Sequence, residues 1–161
     1  MKFTIARKNL LEPLQLASGL VERRQTSPVL ANLLLKLEKD RLAITGTDQE
    51  VEVTVVITDL IVAVPGEVTV PARKLLDICK SLPDGAEMSA NLEGKRVAVD
   101  SGRFNSFLST LPVSEFPSIE TSTYDVSIKF SVQDLKRLLR LTSFAMAQQD
   151  VRYFFNGLLL E

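Results

Sequence analysis

Hydrophobic and polar positions follow two different periods along this chain, and the changeover from one to the other recurs three times. FTIARKNLLEPLQLAS from Phe3, VTVPARKLLDICKSLP from Val68 and IKFSVQDLKRLLRLTS from Ile128 each open on a short alternating stretch and pass into a helical stripe; their starting positions differ by 65 and then 60. At those offsets Leu10, Pro13, Leu14 and Ala17 fall on Leu75, Ile78, Cys79 and Leu82, and then on Leu135, Leu138, Leu139 and Thr142. Each set is spaced i, i+3, i+4, i+7, one apolar face of a helix about three turns long. Any amphipathic helix carries such a stripe. Three in register, each led by a strand, point to an internal repeat. Pro13 is expected in the first turn or so of its helix, where a missing amide hydrogen bond costs least.

The segments after each helix also recur. After the first come NLLLKLE (32–38), a charged turn at Lys39 and Asp40, RLAITGT (41–47) and EVEVTVVIT (50–58). After the second come AEMSANL (86–92), a two-residue turn at Glu93 and Gly94, KRVAVD (95–100) and a strand around 104–110. Residues 1–60 and 66–111 therefore each read as strand-helix-strand-strand-strand. The third copy supplies strand, helix and the strand FFNGLLLE, whose Leu158, Leu159 and Leu160 fall on Leu33, Leu34 and Leu35 at an offset of 125. One unit alone, a helix on a four-stranded sheet, is marginal in size; two side by side bury both helices against both sheets, giving a domain over 1–120. The segment 111–125, with two prolines and several Ser and Thr, reads as a linker. Residues 126–161 then amount to an incomplete second domain with an unpaired sheet edge and an uncovered helix face. The expectation is that these 161 residues are part of a longer repeat protein.

Composition narrows function chiefly by exclusion. Nineteen basic against twenty acidic side chains give a net charge of −1, so this is not a chain that grips phosphates over its whole surface. There is no His and only one Cys, Cys79, which removes the commonest general base and metal ligand and any intrachain disulfide. Zinc enzymes, Ser-His-Asp hydrolases and secreted disulfide scaffolds are thereby excluded. No apolar run approaches the ~20 residues that span a bilayer, and MKFTIARKNLLEPL is no signal peptide, so a soluble cytoplasmic protein is expected.

Charge is nevertheless segregated. Residues 72–82 carry Arg73, Lys74 and Lys80 against Asp77, and 133–143 carry Lys136, Arg137 and Arg140 against Asp134, each a net +2. The strand region 38–60 holds six acids and two bases, for −4. Helices lining one surface would make it electropositive on an acidic protein, although a charged helix face is more often simple solvation. Glu50 and Glu52 share a strand face and could in principle hold a divalent cation, but no other ligand set accompanies them. A solvated face is the better reading, and no metal or cofactor is expected. Cys79 sits at an apolar helix position and reads as inert core. Nothing forms a nucleophile–base pair, so the chain is not expected to be catalytic.

Longer motifs carry a resemblance. MKFT with LLEPLQ, PVLANLLL, ITGTDQEVEV, VPARKLLDIC with SLP, SGRF with LSTLP, and AMAQQDVRYFFNGLLLE together resemble the beta sliding clamp family of bacterial DNA polymerase III, from Met1 to Glu161 without obvious insertions. The resemblance implies an α+β DNA-clamp fold of duplicated strand-helix-strand-strand-strand units, helices on the inner face and antiparallel sheets outside. It implies a non-enzymatic processivity factor: two subunits, each of three such domains, close head-to-tail into a ring around double-stranded DNA. Its partners would be the polymerase III catalytic subunit, the clamp loader and other replication or repair proteins.

By position, the resemblance implies DNA contact at Arg24, Arg73, Gln149, Tyr153 and Phe154, where Phe154 stands for a second tyrosine that the family often has. Without the resemblance, Tyr153 and Phe154 read as well as core residues. Arg152 and Phe155 match the rim of the pocket that receives partner peptides, and Lys74, Arg103 and Leu108 match the subunit interface. RFNSFLS departs there from the family pattern, lacking a further Arg and the usual Phe placement. Two other readings remain open at this point: a repeat-built module that binds proteins through sheet edges and never meets DNA, and a carboxylate metal enzyme using Glu50 and Glu52.

Overall fold

The computed structural model describes residues 1–21, 27–117 and 127–160, which divide into two compact units, Met1–Glu120 and Thr121–Glu161. In the first, the alternating stretches become β1 (Lys2–Ala6), β2 (Asn32–Leu37), β3 (Leu42–Thr47), β4 (Glu52–Ile57), β5 (Ile61–Val64), β6 (Gly66–Pro71), β7 (Glu87–Glu93), β8 (Arg96–Ser101) and β9 (Phe104–Ser109). Helix α1 (Arg7–Ser18) follows β1 and α2 (Ala72–Ser81) follows β6, in each case without an intervening residue. The second unit contains α3 (Val132–Thr142). The apolar stripes of α1 and α2 are buried as their spacing requires. Leu10, Leu14, Ala17, Leu75, Cys79 and Leu82 are all 5% exposed or less.

The first strand of each repeat does not pair within its own repeat. One antiparallel sheet runs β5-β1-β7-β8-β9 and the other β4-β3-β2-β6. Strand β1 lies along β7 of the second repeat, from Lys2 opposite Asn91 to Ala6 opposite Glu87. Reciprocally, β6 lies along β2 of the first repeat, from Asn32 opposite Pro71 to Leu37 opposite Gly66. The expected self-contained four-stranded sheet is thus corrected: each repeat gives its first strand to the other. The helix is the cause. It carries the chain out of one sheet layer, and the next strand enters the other. Side chains from both sheets and both helices then merge into one core, with Phe3, Leu14, Leu33, Val70 and Val99 nearly or fully shielded.

Two contacts fix the layers. α1 lies so close on β3 that a Cβ at Gly46 would sit 2.2 Å from the Ala17 carbonyl oxygen and 3.1 Å from Leu33 Cδ2. At the junction of β2 and β6, buried Asn32 donates through Nδ2 to Thr69 Oγ1 at 3.1 Å. That hydroxyl donates to the Leu111 carbonyl at 2.8 Å and accepts from the Leu111 N–H at 3.0 Å. All its bonding capacity is used, as a fully buried hydroxyl requires.

Several local expectations are also corrected. Pro13 is the seventh residue of the twelve in α1, so it removes an interior amide donor rather than one from the free first turn. The second-repeat hairpin turns at Gly94 and Lys95, one residue later than expected, since Glu93 pairs with Arg96. Strand β5 has no counterpart in the repeat arithmetic; it adds to the outer side of β1. Asp48 and Glu50 belong to a turn: Asp48 Oδ1 accepts from the N–H groups of Glu50 (2.9 Å) and Val51 (2.7 Å), and Gln49 takes φ 81°. Glu50 therefore shares no strand face with Glu52, which opens β4.

Neither strand expected beyond the linker forms. Residues 127–130 lie outside any element, and Tyr153–Asn156 is a short 3-10 turn followed by irregular backbone through 160. A lone strand is not stable without a neighbour, and in the first unit such strands find theirs in the other repeat. No partner strand lies among the described residues of 127–160. α3 itself forms with Leu138, Leu139 and Leu141 exposed.

This architecture has two testable outcomes. Gly46→Ala should destabilise the first unit by about 1–3 kcal/mol through overpacking, read as a lowered denaturant midpoint; an unchanged midpoint would contradict the close approach. A chain of residues 1–65 alone should lack cooperative unfolding and native strand content by circular dichroism, whereas 1–120 should show both, because β1 has its sheet only in the presence of β7.

Candidate nucleic-acid interface

The two helices of the first unit begin unusually. Neither α1 nor α2 has an acidic residue in its first turn, and neither has a side-chain N-cap. Each instead starts with a basic pair, Arg7 with Lys8 and Arg73 with Lys74. Cations at a helix N-terminus oppose the macrodipole, so these residues do not serve the helix. Arg7 is spent on structure: its Nε donates to the Cys79 carbonyl at 2.9 Å and its Nη1 pairs with Asp84, joining the start of α1 to the end of α2. Arg73 and Lys74 are exposed, with no ion pair among the described residues. An anion placed there would meet two cations together with free backbone N–H groups.

α3 is built the opposite way. Ser131 caps it, accepting from the Asp134 N–H at 3.0 Å, and Asp134 sits in the first turn where the dipole favours it. Its cations lie further along, where Gln133, Lys136, Arg137 and Arg140 line an open groove.

Beyond α3 the chain closes a compact loop. Ala147 N–H donates to the Phe155 carbonyl at 2.9 Å, and Phe155 N–H to the Arg152 carbonyl at 2.9 Å. Asp150 and Asn156 clasp each other, Asp150 N–H to Asn156 Oδ1 and Asn156 Nδ2 to the Asp150 carbonyl, both at 3.0 Å. Arg152 forks onto the Asp150 carboxylate, Nε to Oδ1 at 3.1 Å and Nη2 to Oδ2 at 3.0 Å, with its Cζ 4.4 Å above the Phe155 ring. These bonds hold the Asp150 carboxyl below its ordinary value and push the Arg152 guanidinium further up. Tyr153 and Phe154 are 83% and 61% exposed and meet edge to face. Neither is a core residue of this unit. Gln149 projects from a left-handed turn at φ 58°.

The implied site residues thus fall into separate groups. Gln149, Arg152, Tyr153, Phe154 and Phe155 share the one loop. Arg73 and Lys74 share the first turn of α2. Arg24 lies outside the described residues. Arg103 is exposed in the tight turn between β8 and β9, where Gly102 takes φ 57°, beside a groove at the far end of α2 formed with Leu82, Gly85 and Glu87. Leu108, at 2% exposed, packs into the core of this unit, because strand alternation turns it inward. Its neighbour Phe107 takes the outer face, 48% exposed, with the Arg96 guanidinium 4.7 Å over its ring.

Sequence reasoning missed Asp150, Asn156 and Phe107. A D-x-R spacing was the available signal for Asp150; nothing marked Asn156 as its partner. Cys79 is fully buried, and burial raises its thiol's pKa against the pull of Arg7. Among the described residues no cluster of acidic or Cys side chains could hold a metal, and no helix is long and apolar enough to cross a membrane.

The chain as a whole has counterparts among known proteins. Residues 1–120 match the family described as DNA polymerase III beta subunit, N-terminal domain. The beta sliding clamp of Pseudomonas aeruginosa is 53% identical over all of this chain, and that of Escherichia coli 47%. The chain spans 44% of the length of each. Among solved structures, the DNA polymerase III subunit beta of Pseudomonas aeruginosa superposes with a TM-score of 0.92 at 50% identity, over 98% of this chain and 43% of that one. A Pseudomonas aeruginosa sliding clamp bound to griselimycin gives 0.93 at 51% identity, over 98% and 42%. The chain belongs to the DNA polymerase III beta subunit family, and its α+β fold is that of the sliding clamps.

The loop's electrostatics are directly testable. Since the Asp150 carboxyl is held low, the Asp150–Arg152 pair should be intact at neutral pH and lost only as pH falls through that lowered value. Carbon-13 NMR of the side-chain carboxyls should find Asp150 titrating below the usual ~3.9; a midpoint at or above it would contradict the fork.

Proposed function

We propose that the protein to which this chain belongs is the processivity factor of a bacterial replicative polymerase, a non-enzymatic sliding clamp that encircles double-stranded DNA. The observation that carries the reading is the likeness to sliding clamps over essentially the whole chain, at TM-scores of 0.92 and 0.93. Physical features support it. Cations at the start of α2 and along α3, without ion pairs among the described residues, offer non-specific phosphate contact on a chain whose net charge is only −1. Contacts of that kind hold the backbone without reading bases, so a closed ring stays on its duplex by topology and remains free to slide. Arg24, Arg73 and Gln149 serve the DNA backbone in this reading, and Tyr153 and Phe154 offer exposed ring faces to sugars or unpaired bases.

Arg152 and Phe155 form part of the rim of a pocket for peptides of the polymerase III catalytic subunit, the clamp loader and other replication or repair proteins. Residues 1–120 act as a first clamp domain, 111–125 as a linker, and 126–161 as the start of a second. The subunit closes head-to-tail with a second copy through the free edge of β9, flanked by Lys74 and Arg103, with Phe107 on the outer face and Leu108 supporting the strand from within. No cofactor takes part, and the site of action is the bacterial cytoplasm.

Topology is the test. The full-length protein, loaded on a nicked circular duplex, should be retained and then lost when the circle is linearised; release that ignores linearisation would favour a protein-binding repeat module instead. Arg24→Ala combined with Gln149→Ala should lower loading while leaving fold and dimerisation intact, and unchanged loading would remove those two residues from the DNA contact.

A further inference from the structure

The exposed loop 147–156 carries groups assigned to DNA and to peptide partners, yet Asp150 and Asn156, at the centre of its hydrogen bonding, are assigned to neither. Asp150 makes five of its polar contacts. Its carboxylate accepts from the Arg152 N–H (2.9 Å), Nε and Nη2, and its own backbone N–H and carbonyl are both engaged by the Asn156 amide. Asp150 is the better shielded partner of the ion pair, with its side chain 25% exposed against 61% for Arg152. The carboxylate thus faces into the loop. Immediately before it, Gln149 occupies a left-handed conformation that a non-glycine residue adopts only where its surroundings hold it. Immediately after the pair, Tyr153 and Phe154 extend into solvent.

We infer that Asp150, clasped by Asn156, is a positioning residue for DNA contact: by holding the Arg152 fork and the turn at Gln149, it fixes the direction in which Gln149 and Tyr153 project. The inference rests on the clamp reading and adds to it a residue that touches no ligand. It also makes an unusual demand on sign. An acid beside a polyanion ought to repel it, so neutralising Asp150 should tighten DNA binding if charge alone mattered. A positioning role demands the reverse.

The experiment measures binding of a fluorescent duplex by the full-length protein as a function of salt, for the wild type and for Gln149→Ala, Asp150→Asn and Arg152→Lys. Asp150→Asn should bind roughly threefold to fivefold more weakly, the scale of one exposed but well-formed ion pair. The slope of log affinity against log salt should not change, since no phosphate-binding cation is removed. Arg152→Lys keeps the charge but cannot form the fork, and should reproduce the loss. Combining Gln149→Ala with Asp150→Asn should add nothing beyond the stronger single effect. If Asp150→Asn lowers the thermal midpoint, Arg152→Lys decides in its place. Unchanged or tighter binding by the deciding variant, with Gln149→Ala still weakened, overturns the positioning role and leaves the DNA reading standing. A Gln149→Ala protein that binds like the wild type overturns that contact and this inference with it.

Discussion

The reciprocal gift of one strand between two repeats is the constraint on which everything else in the first unit depends. Because β1 completes the sheet of β7, β8 and β9, and β6 completes the sheet of β2, β3 and β4, neither repeat has a finished hydrophobic layer of its own. The helices that follow β1 and β6 are pulled into the same arrangement and pack against each other and over the sheets. Gly46 is a product of that geometry. Once α1 is anchored at both ends of its stripe, its last turn presses a carbonyl onto β3, and only a residue without a side chain fits beneath.

That rigid frame makes the charge pattern meaningful. A cation in the first turn of a helix works against the dipole, and a frame held by core packing can tolerate it at α2, where a marginal helix could not. At the repeat offset of 65 Arg73 falls on Lys8 and Arg7 on Ala72, so the two arginines are one position out of register, and they have separate fates. Arg7 is absorbed into a bridge to Cys79 and Asp84, while Arg73 stays unpaired among the described residues. One basic helix start is thus spent on structure, and the other is left exposed. In the second unit the cations lie mid-helix, and the cap of α3 is conventional.

Much of this was legible beforehand. The 3.6-residue stripe located α1, α2 and α3, and alternation located most of the strands to within a residue or two. Alternation says which face of a strand is apolar, however, and nothing about which neighbour the strand will choose; the exchange between repeats was invisible for that reason. The β9 segment shows the same limit at a single position. RFNSFLS offers Phe107 and Leu108 side by side, and only the register with β8 turns Leu108 inward and Phe107 out. Phe154 and Phe155 looked like the start of a strand, but side chains of Asp150 and Asn156 satisfy the local backbone and leave a turn in its place. Pro13 marks the opposite case, a residue whose local preference lost to the tertiary demand for a continuous α1.

The exchange also bears on how such a domain could arise. A polypeptide holding only one repeat would present an orphan β1-like arm and a three-stranded sheet missing its border, and the sole way to mend both defects at once is for two identical molecules to embrace about a twofold axis. Joining the two in tandem turns that encounter from a bimolecular event into one set by tether length, so assembly no longer depends on how much protein the cell contains. The freed symmetry lets each half drift on its own. Lys74 facing solvent where its counterpart Asn9 holds Asp59 is one visible trace of that drift.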